Sequence, residues 1–133
     1  MKQITIYAPV QDGIVARITD TLGRAGINIE SLDAMDVRDL DVITLMVDRY
    51  DDALQVLRNA DFNAISEDAV VLKIKDEPGA LAKVTKRLYE AGIHVRSIRI
   101  IHRGGHEGLV AVSMDRTVEG LAAIKDLLLS PGS

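Results

Sequence analysis

The sequence predicts an α+β protein made of two βαββαβ modules in tandem, residues 1–66 and 67–133. Three observations carry that expectation. The chain repeats itself: the offset that places Gly13 on Gly79 also places Ala16, Thr19, Leu22, Ala25, Gly26, Ile27 and Ser31 on Ala82, Thr85, Leu88, Ala91, Gly92, Ile93 and Ser97, with no gap over that span. Within each copy the apolar spacing switches from alternation to the helical period and back. Glycines fall where helices must start or stop.

Taken in order, Lys2 to Ala8 and Ala69 to Ile74 are apolar and β-branched and read as first strands. Asp12-Gly13 and Asp76-Glu77-Pro78-Gly79 are turns that open helices. Proline is tolerated in a first helical turn because the amide it lacks would have had no partner there. Ile14, Ile18 and Leu22, and then Leu81, Val84 and Leu88, keep helical spacing until Gly26 and Gly92 end the helices in the left-handed conformation. Ile27 to Asp36 and Ile93 to His102 read as second strands, and Val42 to Val47 and Leu109 to Met114 as third strands. Asp51 to Arg58 and Val118 to Leu128 read as second helices, with Phe62 to Ile65 as a short fourth strand in the first copy. Only Ser130-Pro131-Gly132-Ser133 follow Leu129, so the second module is expected to lack a full fourth strand. The economical fold for this order is ferredoxin-like, an antiparallel sheet with both helices on one face. A module short of a strand leaves an edge that proteins normally cover, and a homodimer is expected on that ground.

Composition narrows the function. Sixteen basic and 20 acidic residues give a net charge of −4, and no Lys/Arg cluster is interleaved with aromatics, so no nucleic-acid footprint is present. Cysteine is absent, which excludes disulfides, thiolate metal sites and cysteine nucleophiles. The alternating start Met1-Lys2-Gln3-Ile4-Thr5 lacks the apolar stretch of a signal peptide, and no long apolar run suggests a membrane span. A soluble cytoplasmic protein is the expectation.

The run Asp76-Glu77-Pro78-Gly79-Ala80-Leu81, followed by Ala91-Gly92-Ile93-His94-Val95, resembles the signature of the ACT family, Asp-x-Pro-Gly-x-Leu, a helix, then Gly-Ile-Asn-Ile. The first copy, Asp12-Gly13-Ile14-Val15-Ala16-Arg17 with Gly26-Ile27-Asn28-Ile29, is similar to the variant at the start of glycine-cleavage-repressor-like proteins. Together the two resemblances cover nearly the whole chain. They imply a regulatory module that binds a free amino acid or similar small metabolite between two modules, needs no cofactor and catalyses nothing. The site so implied joins the loop residues Asp76, Gly79, Ala80 and Leu81 with Asn28 of the neighbouring module. A helix start suits a carboxylate, because its first amides are unpaired and the helix dipole is positive there. An Asn side chain offers both donor and acceptor. The reciprocal site would join Gln11, Asp12, Gly13 and Ile14 with His94; it departs from the pattern, with Val10 for the loop Asp, Asp12 for Pro and His94 for Asn. The apolar residues Ile14, Val15, Ile27, Leu81 and Ile93 were the expected lining, favouring small or branched aliphatic ligands.

Other readings compete. A regulatory subunit that docks on a metabolic enzyme or transcription regulator without ligand is the principal alternative. The stretch His102-Arg103-Gly104-Gly105-His106-Glu107 holds two imidazoles and a carboxylate, but it reads as a solvated hairpin rather than a metal site. Val10-Gln11-Asp12-Gly13-Ile14-Val15-Ala16-Arg17 faintly resembles the acylphosphatase cradle, where Asp12 would repel phosphate.

Charge is divided unevenly between the copies. Residues 1–66 hold 6 basic and 11 acidic side chains, and residues 67–133 hold 10 and 9. The difference concentrates on the second strands, where Glu30, Asp33 and Asp36 correspond to Arg96, Arg99 and His102. Edge-to-edge antiparallel pairing of these strands, with Asp33 opposite Arg99, would match all three pairs.

Overall fold

The computed structural model describes residues 2–37 and 39–129. The chain divides into two compact units, Met1–Glu67 and Asp68–Ser133.

In the first unit β1 (Gln3–Pro9), α1 (Ile14–Arg24), β2 (Ile29–Val37), β3 (Leu40–Val47), α2 (Tyr50–Asn59) and β4 (Asn63–Ile65) follow one another. Their sheet has the order β2-β3-β1-β4 and is antiparallel throughout. Alternation along β1 sends Ile4, Ile6 and Ala8 to one face, and β3 sends Ile43, Leu45 and Val47 to the same face. Against them α1 lays Ile14, Ile18 and Leu22, spaced one turn apart, and α2 lays Ala53, Leu54 and Leu57. The end of α1 is fixed by a left-handed Gly26, φ 73°, and by the Ile27 N–H donating to the Leu22 carbonyl at 3.0 Å.

The second unit repeats the plan with β5 (Val70–Lys75), α3 (Ala80–Glu90), β6 (Val95–Gly104), β7 (Glu107–Met114) and α4 (Thr117–Ile124). Its sheet, in the order β5-β7-β6, has three strands among the described residues. Leu72, Ile74, Val84, Leu88, Val110, Val112 and Ile124 form its core. The second helix was expected to run to Leu128, but it ends at Ile124 and tightens into a 3-10 turn over Lys125–Leu127. Such i→i+3 tightening is a common way for a helix to close its last turn.

Leu128 is already extended, and the Leu129 N–H donates to the Lys73 carbonyl of β5 at 2.8 Å. In the first unit β4 opposes β1 with Asn63 against Tyr7. The second module thus enters the fourth-strand position at Leu129, against Lys73, the counterpart of Tyr7. The tail Ser130–Ser133 lies outside the described residues.

The repeat also needs one insertion that the first-half alignment does not reveal. The register of β6 on β7 shifts between Ile100 and His102, so the extra residue is taken up as a bulge. A second irregularity is shared: β2 shifts between Ile29 and Ser31, and β6 between Val95 and Ser97. The two strands that carry the opposite charges, β2 and β6, belong to separate sheets, and each stands at an edge.

Candidate functional site

The β5–α3 loop is set by three backbone bonds. The Asp76 N–H donates to the His106 carbonyl at the tip of the β6–β7 hairpin (2.9 Å), the Ala80 N–H to Glu77 (3.2 Å) and the Lys83 N–H to Gly79 (3.0 Å). Gly79 stands at φ 86°, ψ −10°, just before the helix. That left-handed turn is what only glycine adopts without strain, and it aims the first amides of α3 out of the loop.

A cavity of about 380 Å³ opens beside this loop. Asp76, Gly79, Ala80 and Leu81 all line it, as do Ile100 and Arg103 from the end of β6. Lys75 and Glu77 complete a lining with both signs of charge, and Ile74 and Val110 give it an apolar floor. The cavity therefore offers donors for a carboxylate, acceptors for an ammonium group and apolar surface for an aliphatic chain. Arg103 and Ile100 were missed in the sequence. They reach the cavity because the hairpin tip bonds to the first loop and so brings the end of β6 to the same place.

The equivalent loop of the first unit is closed on itself. The Val10 N–H donates to the Asp39 carbonyl at 3.2 Å, the counterpart of the Asp76 bond. Gln11 is turned back onto its own loop: its Nε2 donates to the Pro9 carbonyl (3.4 Å), and its Oε1 accepts from Arg17 (2.8 Å). Arg17 in turn lies over the Phe62 ring at 5.2 Å. Gly13 repeats the left-handed turn with φ 77°, Asp12 is exposed, and Ile14 belongs to the core.

Asn28 and His94 occupy equivalent exposed corners between helix and strand. The Asn28 N–H donates to Asp48 Oδ1 (3.0 Å), its Nδ2 to Asp48 Oδ2 (3.2 Å), and the Asp48 N–H returns a bond to the Asn28 carbonyl (3.2 Å). His94 and Asp115 repeat the backbone part, at 3.0 and 3.1 Å. The next residue in each copy is an arginine that reaches back over the helix end, Arg49 to the Ala25 carbonyl (2.8 Å) and Arg116 to the Gly92 carbonyl (2.6 Å). This brace was also missed, although Asp48-Arg49 and Asp115-Arg116 stand directly after the third strand in both copies.

Ile14, Ile27 and Ile93 are buried in the two cores, so only Leu81 of the expected apolar residues faces the cavity. Their helical and strand phases point them inward, leaving Ile100 and Val110 to take that role. At the hairpin, Gly105 and His106 form a two-residue turn with φ 60° and 73°. No helix among the described residues is long and apolar enough to cross a membrane.

No protein-family model matches the chain, and no curated protein matches it. Solved structures do match. Protein BT0572 from Bacteroides thetaiotaomicron is 23% identical with a TM-score of 0.47, over 96% of this chain and 90% of that one. The regulatory subunit of aspartate kinase from Thermus thermophilus is 19% identical with a TM-score of 0.44, over 95% and 91%. A putative glycine cleavage system transcriptional repressor is 13% identical with a TM-score of 0.41, over 95% and 88%. The strand orders and helix placement decide the architecture. Each unit is ferredoxin-like, an antiparallel sheet with two helices packed on one face. In both modules the first loop, the hairpin tip and the helix start converge, and the second copy keeps an open cavity there.

Proposed function

We propose that this chain is a non-catalytic regulatory protein of the ACT type that binds a free amino acid, or a similar small metabolite, in the cavity of its second module. The observation that carries the reading is the cavity beside the Asp76–Leu81 loop. Its volume falls in the range of about 300–1,000 Å³ usual for small-molecule sites. The ligand carboxylate sits at the α3 amides and Arg103, where a helix start and a guanidinium both favour an anion. The ammonium group faces Asp76 and Glu77, and an aliphatic side chain lies on Leu81, Ile100 and Val110. Asn28 of a neighbouring module closes the site with its Oδ1, since its amide nitrogen is already held by Asp48. The reciprocal site of Gln11, Asp12, Gly13, Ile14 and His94 is the weaker one, because Gln11 is occupied by Arg17. The protein acts in the cytoplasm as a homodimer and passes the ligand signal to a metabolic enzyme or a transcription regulator.

Thermal denaturation against each common amino acid tests this. A ligand that binds only the folded state at a hundred times its Kd stabilises by about 2.7 kcal/mol. At least one aliphatic amino acid is expected to raise the Tm of the native chain and to leave Arg103→Ala unmoved. No shift with any amino acid would leave the ligand-independent docking subunit as the reading. The exposed Val10, Met35 and Val37 at one end of the first sheet favour that second reading.

A further inference from the structure

Allowing for the extra residue in β6, Thr21 of α1 corresponds to Arg87 of α3, and Val56 and Asn59 of α2 to Ala123 and Asp126. In the second module Arg87 crosses between its two helices, donating to the Ala123 carbonyl at 3.0 Å and to the Asp126 carboxylate at 2.7 Å. Thr21 is too short for that crossing, and its hydroxyl donates to the Arg17 carbonyl of its own helix at 2.7 Å. Between the end of α1 and the outer side of α2 a cavity of about 210 Å³ is left open, lined by Val56 and Asn59 themselves. We propose that this cavity is a socket for an arginine side chain presented by a protein partner.

The lining suits that occupant. Ala25, Ile27 and Val56 form an apolar floor for the methylenes of an arginine stem. Gln55 and Asn59 are exposed at the rim, and their side-chain amides have no hydrogen-bond partner among the described residues. Asp52 lies beside them, 3.6 Å from Arg49 Nη1, in a long and exposed pair that leaves most of the carboxylate's acceptor capacity open. Arg49 itself is held, its other terminal nitrogen donating to the Ala25 carbonyl at 2.8 Å. Carboxylate and amide oxygens spread along one helix face match the planar, forked donors of a guanidinium better than the point charge of an ammonium group.

Size and charge identify the source. A volume of about 210 Å³ falls below the range of roughly 300–1,000 Å³ usual for a metabolite site, and suits one long side chain. The module around it is acidic, with 6 basic and 11 acidic side chains in residues 1–66, and so draws a basic partner surface. Arginine is among the residues that carry most of the binding energy when seated in a pocket of an interface. The socket uses first-module residues alone and holds whether or not the second-module cavity takes a ligand.

NMR titration of the full chain with a capped Ala-Arg-Ala tripeptide, and with the same peptide carrying neutral citrulline for arginine, is the test. The arginine peptide is expected to shift the Ala25, Ile27, Gln55, Val56 and Asn59 amides with a Kd on the order of 1–10 mM, as suits one side chain. The citrulline peptide is expected to bind at least about tenfold more weakly. Asn59→Asp, which restores the acceptor that the second module uses, is expected to tighten the arginine peptide by about threefold to tenfold. Thr21→Arg combined with Asn59→Asp rebuilds the clamp from within and is expected to abolish the response, with circular dichroism checking that each variant is folded. No shift at tens of millimolar peptide, equal shifts with both peptides, or shifts that survive the rebuilt clamp would each overturn the proposal. Free L-arginine binding more than about tenfold tighter than the peptide would also overturn it, since that marks a metabolite site.

Discussion

Asp48 holds Asn28 with both carboxylate oxygens, one on the backbone N–H at 3.0 Å and one on the side-chain amide at 3.2 Å. This corner is the point at which α1 turns into β2, and Arg49 braces the same turn from the other side. We expect Asp48→Ala to cost about 1–2 kcal/mol, as the loss of two hydrogen bonds to a charged group at an exposed site implies. Urea denaturation measures it. Asp115→Ala removes only the backbone half and is expected to cost less; equal losses would show that the Asn28 side chain contributes nothing.

Two helical glycines give opposite outcomes on substitution by alanine. A Cβ on Gly120 would run into the Met114 sulfur and crowd Leu88 and Ile93, so Gly120→Ala is expected to destabilise by about 1–3 kcal/mol despite alanine's better helix propensity. A Cβ on Gly23 meets nothing, and Gly23→Ala is expected to stabilise by about 0.5–1 kcal/mol. Thermal melts of the two variants check the signs.

Arg87 donates to the Asp126 carboxylate at 2.7 Å and to the Ala123 carbonyl at 3.0 Å, tying α3 to the end of α4. The Arg87 hydrogen bond holds the Asp126 carboxyl below its ordinary value of 3.8. Its contribution is therefore present above the ordinary value and is lost as pH falls through the lower, folded one. Asp36 behaves in the opposite sense, because a hydrogen bond to Asp41 raises its carboxyl above 3.8. That contribution is present in acid and is lost as pH rises through the raised value. Asp36→Asn is expected to raise the Tm at neutral pH and to lose its advantage on acidification towards 3.8. An advantage independent of pH would refute the raised Asp36 carboxyl.

Gly79→Val is a poor probe of the loop. At φ 86° any side chain adds strain, of order 1–3 kcal/mol, so lost binding would be mixed with lost stability. Arg103 is exposed and outside the core, and Arg103→Ala is expected to change the Tm of the free protein little while removing the ligand response.

Most of the fold was legible because both copies obey the same local rules. The Ile14, Ile18, Leu22 stripe, its counterpart Val84 and Leu88, and the left-handed Gly26 and Gly92 fix two helices that end where the glycines stand. What escaped depended on contacts distant in sequence. The bulge near Ile101 displaces the later offset by one residue, and only the β6–β7 register shows it. Loop residues 76–81 were readable from their turn and cap chemistry, whereas Arg103 enters the cavity through a hairpin bond between Asp76 and His106 that no local pattern encodes.

The central claim is that the second-module cavity receives an amino acid, and residue-resolved NMR titration of the native chain with the amino acid that raises its Tm tests it most directly. The account predicts that the largest amide shifts fall on Asp76, Gly79, Leu81 and Ala82 and around Arg103, with smaller changes on Gly13 and Ile14. Largest shifts elsewhere, or no amino acid that shifts any amide, would contradict it.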